Sequence, residues 1–346
     1  MRIGYVPYSA DLSHPADRRR LKFWSTESHQ TLETMDFSEV DIIVLSSAAN
    51  YSKFIKKSKS FIILDLVDGY VGENPSPIKD FLRNVLRTWG GSSSLRWITY
   101  TRHLKYACKS ADRVIVASPE QRLEVLKYCD DVHVILDSHS ELESNFDRDV
   151  INKDKGSLFW EGLPYTFKHF SVASGQIDQL LFENGGKLEI LSRNSFLRWG
   201  GIAGRQTLSR KVFELFPKSK ASVNIHEWGI NELTLLARKC EIGIIPIDIK
   251  DKFALLKPEN KLLSMWVLGL PTLVSRTPAY ERVLMAAGLE FCLVDDDEWY
   301  EKILSLQTNF QLRNEMVSKA DKYLAENHSK KLLLEKWDKA LNVNSG

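Results

Sequence analysis

The chain has 346 residues, 43% of them hydrophobic and 27% charged, and carries a formal net charge of +2. That length exceeds what a single core comfortably organises and suits two domains, while the composition excludes a disordered or fibrous chain. A charge this near balance, without zinc-finger spacing or an RNA-binding signature, speaks against a nucleic-acid partner.

Short β-branched runs alternate with longer helical patterns, which marks a parallel α/β architecture. In the first half, strands are expected at 2–6, 41–45, 60–64, 113–117 and 132–136, each too short for a helix and apolar enough to be buried on both faces. Helices are expected at 78–87, 95–109 and 119–128. The last starts well: Ser118 as N-cap, Pro119 in the first turn and Glu120 near the positive dipole end. Residues 138–156 are polar, charged and poor in aliphatics, so a domain boundary falls there. It separates a domain spanning 1–145 from one spanning 156–325. The alternation restarts with strands at 157–161, 187–191, 221–225, 241–246, 271–275 and 290–294. Helices at 170–182, 204–215, 231–238, 261–268 and 279–287 separate them. Helical stretches at 296–307, 311–324 and 330–341 follow, and residues 326–346 are expected to pack back on the first domain. Cys108, Cys129, Cys240 and Cys292 form no CxxC pair, which suits free thiols in a reducing cytoplasm. No window approaches a membrane span or signal peptide.

The most informative stretch is 241–280, EIGIIPIDIKDKFALLKPENKLLSMWVLGLPTLVSRTPAY. A strand ends near Pro246 and a loop with Lys250, Lys252 and Lys257 follows. Pro258, Glu259, Asn260 and Lys261 then open a helix that ends at Gly269, and Pro271 leads into the next strand. This places Asn260, Lys261 and unpaired backbone N–H groups at a helix N-terminus on the C-terminal edge of a parallel sheet, where open α/β sheets bind ligands. Such a terminus suits a diphosphate; Lys257 and Lys261 add positive charge, and Glu259 is placed to accept from ribose or sugar hydroxyls.

Glu241, Gly243, Pro246, Lys261, Gly269, Pro271, Ser275, Pro278 and Tyr280 form an ordered set that resembles the nucleotide-sugar domain of GT-B glycosyltransferases. Within these it is most similar to the large retaining family that builds bacterial surface polysaccharides. The segments CLVDDDEWYEKILSL and CKSADRVIVASPEQRLEVL extend the resemblance to about two-thirds of the chain. It implies two Rossmann-like domains facing each other across a cleft, with a helical C-terminal tail, and a nucleotide-activated sugar donor used without a bound metal or other cofactor. Two departures stand out: Ser264 replaces the family's glutamate, and Glu161-Gly162 occupies a turn where the family has an arginine, leaving Lys168 as the basic residue nearby.

In the first domain, the long loop after the first strand holds Ser13, His14, Asp17, Arg18 and Arg19, suited to anionic groups or sugar hydroxyls; by resemblance it contacts acceptor or phosphate. Asp65 and Asp68 follow a buried strand and are candidates for binding hydroxyls or acting as base, with a turn aspartate as the rival role for Asp68-Gly69. Asp137 and His139 end the last strand, where an Asx-turn is the rival. Residues 50–113 hold twelve Lys/Arg against five Asp/Glu, interleaved with Trp89, Trp97, Tyr100 and Tyr106. Arg96, Arg102, Lys105 and Lys109 lie on the helix expected at 95–109, and a peripheral membrane contact through 83–109 would suit a lipid-linked acceptor.

The expectation is therefore a glycosyltransferase moving a sugar from a nucleotide-activated donor to a glycan or lipid-linked acceptor, in the cytoplasm or at the membrane's inner face. Lys261, Asp68 and His14 are its catalytic candidates. Lys168, Lys257, Glu259, Asn260, Lys261 and Ser264 are its donor-binding candidates. Ser13, Asp17, Arg18, Asp65, Asp137 and His139 are its acceptor-binding candidates. The rivals are a nucleotide-sugar epimerase of the same fold and a non-catalytic subunit that binds glycan or a partner transferase.

Overall fold

The computed structural model describes residues 1–55, 59–69, 71–72, 76–89, 98–143, 153–197 and 205–342. They form two compact units: 1–138 with 251–258 and 328–346, and 139–250 with 259–327.

The first unit is built on a six-stranded sheet of β1 (Ile3–Val6), β2 (Leu32–Glu33), β3 (Ile42–Ser46), β4 (Phe61–Leu66), β5 (Arg113–Val116) and β6 (Val132–Val134). All pairings are parallel, in the order β2-β1-β3-β4-β5-β6. Every residue of β3 and β5 is buried, because both faces of the sheet are covered. One face packs against Tyr100, Leu104, Ala107 and Cys108 of helix Tyr100–Ser110. The other receives Leu21 and Trp24 from helix Leu21–Glu27 together with Trp337, Ala340 and Leu341. The last three belong to helix Lys330–Leu341, which Asp338 also ties to Trp24 Nε1 at 2.7 Å.

Helix Tyr100–Ser110 begins five residues later than expected, where the Thr99 side chain accepts from Arg102 N; Arg96 and Trp97 lie outside the described residues. Ser118 caps helix Pro119–Val125 as its sequence implies. The stretch expected to be a loop after β1 is half helical, with Pro15–Arg18 and Leu21–Glu27, because Leu21, Phe23 and Trp24 bury on one side despite three consecutive arginines.

Two histidines of this unit, His103 and His328, are buried. Burial drives each pKa down to about 4, aided at His103 by Arg87 and at His328 by Lys336. A folded-state pKa depressed below the unfolded value of about 6.5 means the unfolded chain binds more protons between those limits. Stability is thus fully present above pH ~6.5 and lost as pH falls toward 4. Urea unfolding at pH 7 and pH 5 is expected to show the first unit weaker at the lower pH by about 2 kcal/mol for each of the two histidines. His103→Asn is expected to remove about half of that dependence, and an unchanged slope refutes the assignment.

The second unit carries β7 (Ser157–Glu161), β8 (Lys187–Leu191), β9 (Ser195–Leu197), β10 (Arg205–Thr207), β11 (Val223–His226), β12 (Ile242–Ile245), β13 (Thr272–Ser275) and β14 (Leu293–Val294). Its main sheet is parallel in the order β11-β8-β7-β12-β13-β14, while β9 and β10 form an antiparallel pair. Counting only the six strands of the main sheet gives the doubly wound order 3-2-1-4-5-6. The strand expected at 290–294 is reduced to Leu293–Val294 behind a 3-10 turn, Glu290–Cys292. Another 3-10 segment, Pro164–Val172, precedes helix Ser174–Asn184 and seats Phe167 and Phe170 against Trp160 and Phe216. Cys108, Cys240 and Cys292 are buried free thiols, each pushed up to about 12 by desolvation.

Candidate functional site

Doubly wound sheets bind ligands beyond the C-terminal strand ends, where the strand order reverses. In the second unit that point lies between β7 and β12. Glu161 and Gly162 leave β7 there, and Pro246 to Asp248 leave β12. Helix Asn260–Val267 then presents its N-terminus after the lysine-rich loop. Lys261 sits in its first turn with Nζ 5.1 Å from the centre of the Trp160 indole. Gly162 makes the room: a Cβ there would come 2.9 Å from Lys261 Nζ and 2.7 Å from the Trp160 ring. Glu161 accepts from Trp228 Nε1 at 3.3 Å.

Among the described residues, Asn260 Oδ1 in the first helical turn and Ser192 Oγ directly after β8 are buried without a hydrogen-bond partner, as is Trp299 Nε1 at another helix start of this unit. Such atoms are rare in folded chains and call for an explanation; a ligand donor would satisfy the two oxygens. Ser192, Trp160 and Trp228 were not singled out in the sequence. Their only signal there was position beside a strand end.

Glu259 corrects the expectation of a hydroxyl acceptor. Its side chain is 2% exposed and is bound by Arg282 Nη2 at 3.0 Å, so it braces the helix start against helix Pro278–Ala287. Ser264 Oγ donates back to Asn260 O at 2.9 Å and stands 3.5 Å from His139 Nδ1; His139 is itself buried. Both are occupied within the protein rather than open to a donor. Lys168 is exposed on the Pro164–Val172 segment.

Lys257 departs from the expected single cradle with Lys261. The segment 251–258 belongs to the first unit, where Leu256 O accepts from Gln121 Nε2 at 3.0 Å. There Lys257 acts electrostatically on Asp68.

In the first unit the strand order reverses between β1 and β3. Asp17 was expected to meet substrate, but its side chain is fully buried. It accepts from Tyr5 OH at 2.6 Å, Tyr8 N at 2.8 Å, Ser9 N at 3.0 Å and Ser9 Oγ at 3.1 Å. It therefore shapes the loop rather than binding through it. Asp65 and Asp137 are corrected likewise: the buried Arg20 guanidinium reaches Asp65 at 2.5–3.0 Å, Ile135 O at 2.7 Å and Asp137 at 3.2 Å. Burial alone would lower the Arg20 pKa, yet Asp65 and Asp137 carry it above its ordinary value. Arg18 is half-buried at the end of helix Pro15–Arg18.

The candidates that remain open are His14, Asp68 and Ser13, all exposed. His14 stacks on Tyr8 with ring centres 4.9 Å apart, and its Nδ1 accepts from Ala16 N, leaving Nε2 as the second ring nitrogen. Asp68 keeps solvent access, while the protein around it raises its pKa by desolvation, opposed by Lys257, Arg83 and His14. His14, Asp68, Tyr8 and Lys257 are thus electrostatic neighbours in this unit. Much of the basic stretch, by contrast, packs on aromatic rings: Arg87 on Tyr100 at 4.8 Å, and Lys105 and Lys109 on Tyr128 at 5.4 and 5.9 Å. Among the described residues, no helix is long and apolar enough to cross a membrane and no His/Cys/Asp/Glu group is arranged to hold a metal ion.

No family model matches the chain, and no curated protein matches it. Solved structures do. A variant of TarM from S. aureus, solved with fondaparinux, α-GlcNAc-glycerol and UDP, matches at a TM-score of 0.62 and 12% identity over 87% of this chain and 55% of that one. The chain thus spans about half the length of TarM. WaaG, a glycosyltransferase involved in lipopolysaccharide biosynthesis, matches at 0.61 and 12% over 99% of this chain and 100% of that one. A glycosyltransferase from Rickettsia africae matches at 0.59 and 12% over 99% and 98%. These likenesses show the fold: two Rossmann-like units of the GT-B type, with a C-terminal helix, in a chain far diverged in sequence.

Proposed function

We propose that this chain is a glycosyltransferase whose second unit binds a nucleotide-activated sugar at the β7/β12 edge. The observation that carries the reading is Lys261, held over Trp160 beside Gly162 in the first turn of a helix that follows the sheet's reversal point. When the bond between the anomeric carbon and the phosphate oxygen breaks, negative charge develops on the departing nucleotide. An ammonium and the positive end of a helix beside that charge lower the barrier. The reading assigns this neutralisation to Lys261 and the helix terminus rather than to a metal, and the donor is a co-substrate rather than a resident cofactor. Asp68 and His14 are assigned to the acceptor side, to bind its hydroxyl and receive its proton.

A lipid-linked acceptor, met at the inner face of the membrane, is supported by helix Pro77–Trp89. It exposes Ile78, Leu82 and Leu86 at i, i+4 and i+8, beside Lys79 and Arg83. Such a stripe with cationic flanks suits an anionic membrane surface. The alternative of a silent, binding-only subunit draws on Glu161, which stands where the resemblance places an arginine.

A panel of nucleotides and nucleotide sugars tests the reading through thermal unfolding, since a ligand that binds only the folded chain raises its melting temperature. One nucleotide class is expected to raise it by several degrees, and its sugar conjugate is expected to be consumed only when acceptor is present. Donor turnover without acceptor would indicate an epimerase, binding without turnover a silent subunit, and no shift with any nucleotide defeats the proposal.

A further inference from the structure

A hollow lies in the second unit, at the end of the main sheet opposite Lys261. One wall is a single face of helix Phe310–Asn327, with Phe310, Arg313, Asn314, Val317, Ser318 and Asp321 at helical spacing. Lys153, Glu241 at the start of β12, Gly269 and Pro271 before β13 close the other side. The space is about 400 Å³, within the roughly 300–1,000 Å³ of small-molecule sites. It opens at the N-terminal strand ends, whereas Lys261 and Gly162 lie at the C-terminal ends, about 13 Å away along a four-residue strand.

The framework of the hollow is satisfied. Arg313 Nη2 binds Glu241 at 2.9 Å, its Nη1 is bonded to the Leu306 and Gln307 carbonyls, and Glu241 also accepts from Gly156 N at 2.7 Å. Lys153 Nζ donates to Cys240 O at 2.8 Å, and burial lowers its pKa, with Arg313 adding to the effect. Two cations and two carboxylates cancel, and the guanidinium is already spent, so nothing here concentrates positive charge for a phosphate. The polar lining also includes Asn314, Ser318 and Asp321, an amide, a hydroxyl and a carboxylate, beside Phe310, which is 65% exposed. An amide and a hydroxyl that both donate and accept, a carboxylate that accepts and an aromatic ring match the vicinal hydroxyls and the C–H face of a sugar ring.

We propose that this hollow is a neutral-saccharide subsite, which holds a sugar unit of the acceptor glycan away from the reacting edge. The assignment of that sugar to an acceptor rests on the transferase reading above; the binding chemistry does not. A neutral glycan bound here adds contacts without competing for the donor's phosphate-binding groups. It also tethers the growing chain, so a longer acceptor gains affinity through an effectively intramolecular second contact.

The test uses the full chain with ¹³C-labelled valine methyls, titrated with neutral linear gluco- and manno-oligosaccharides and, separately, with inorganic phosphate and UDP. The expected result is a saturable shift of the Val317 methyl with an oligosaccharide. The affinity should fall about tenfold in the Asn314→Ala/Asp321→Ala double variant, whose melting temperature and nucleotide-induced stabilisation stay at wild-type values. No saturable shift with any neutral saccharide, an undiminished shift in the double variant, or a Val317 shift produced by phosphate or UDP alone overturns the proposal. Saccharide binding at Val317 in a chain that no nucleotide stabilises would defeat the transferase reading and leave this subsite standing.

Discussion

An Arg20→Leu variant is expected to lose about 3–5 kcal/mol of stability, the cost of breaking a buried ion network from one side. Arg20 and Asp65 have fully buried side chains, and the Asp137 side chain is only 10% exposed. Asp65 receives three contacts from the one guanidinium. Leucine fills much of the volume but leaves two carboxylates facing one another with no cation, inside the sheet's own core. The Trp337 ring, 5.7 Å from the Arg20 guanidinium, loses a further favourable contact. Urea unfolding of the variant should show the loss, and the melting temperature of the first unit should fall by on the order of 10 °C. Adding Asp65→Asn should recover part of it, because an amide is far cheaper to bury than an unpaired carboxylate. A single variant within 1 kcal/mol of wild type, or a double variant no better than the single, would mean the network does not hold its ionised form.

The same network shows where sequence reading stops. β3 and β5 were legible because strands buried on both faces read as unbroken apolar runs. β2 was not, since two half-buried residues leave no pattern. Arg20 is the third arginine of a run, and nothing local distinguishes it from Arg18 and Arg19. Its partners lie 45 and 117 residues away, and only the folded sheet edge brings them together. Asp65 lies near the end of β4 and Asp68 just beyond it, yet one is sealed under Arg20 and the other stays open. Glu259 has the local signature of a helix-start acid, but Arg282, 23 residues later, claims its carboxylate. Lys257 and Lys261 are neighbours in sequence, and the chain assigns them to different units. At the β7/β12 edge the position of Lys261 in a helix's first turn was legible, because strand, helix start and glycine turn are all local signals. Long-range pairing of charges decides the rest.

Lys261→Ala is the substitution with the largest expected effect on activity. If Lys261 stabilises charge that appears only as the nucleotide departs, its loss should fall mainly on kcat, by about 10²–10³-fold, with nucleotide affinity weakened by about tenfold. Stability should barely change, because an exposed or half-exposed cation–π contact such as that with Trp160 is worth only about 0.5–1 kcal/mol. Lys261→Arg separates charge from shape. The ammonium sits in a confined space, where even a single carbon added at Gly162 would come within 2.9 Å of it, and a planar guanidinium is not a like-for-like substitute. Arginine should therefore restore nucleotide affinity more than turnover. Full turnover in the alanine variant would remove Lys261 from the chemistry, and full turnover in the arginine variant would show that charge alone, without the close fit beside Gly162, suffices.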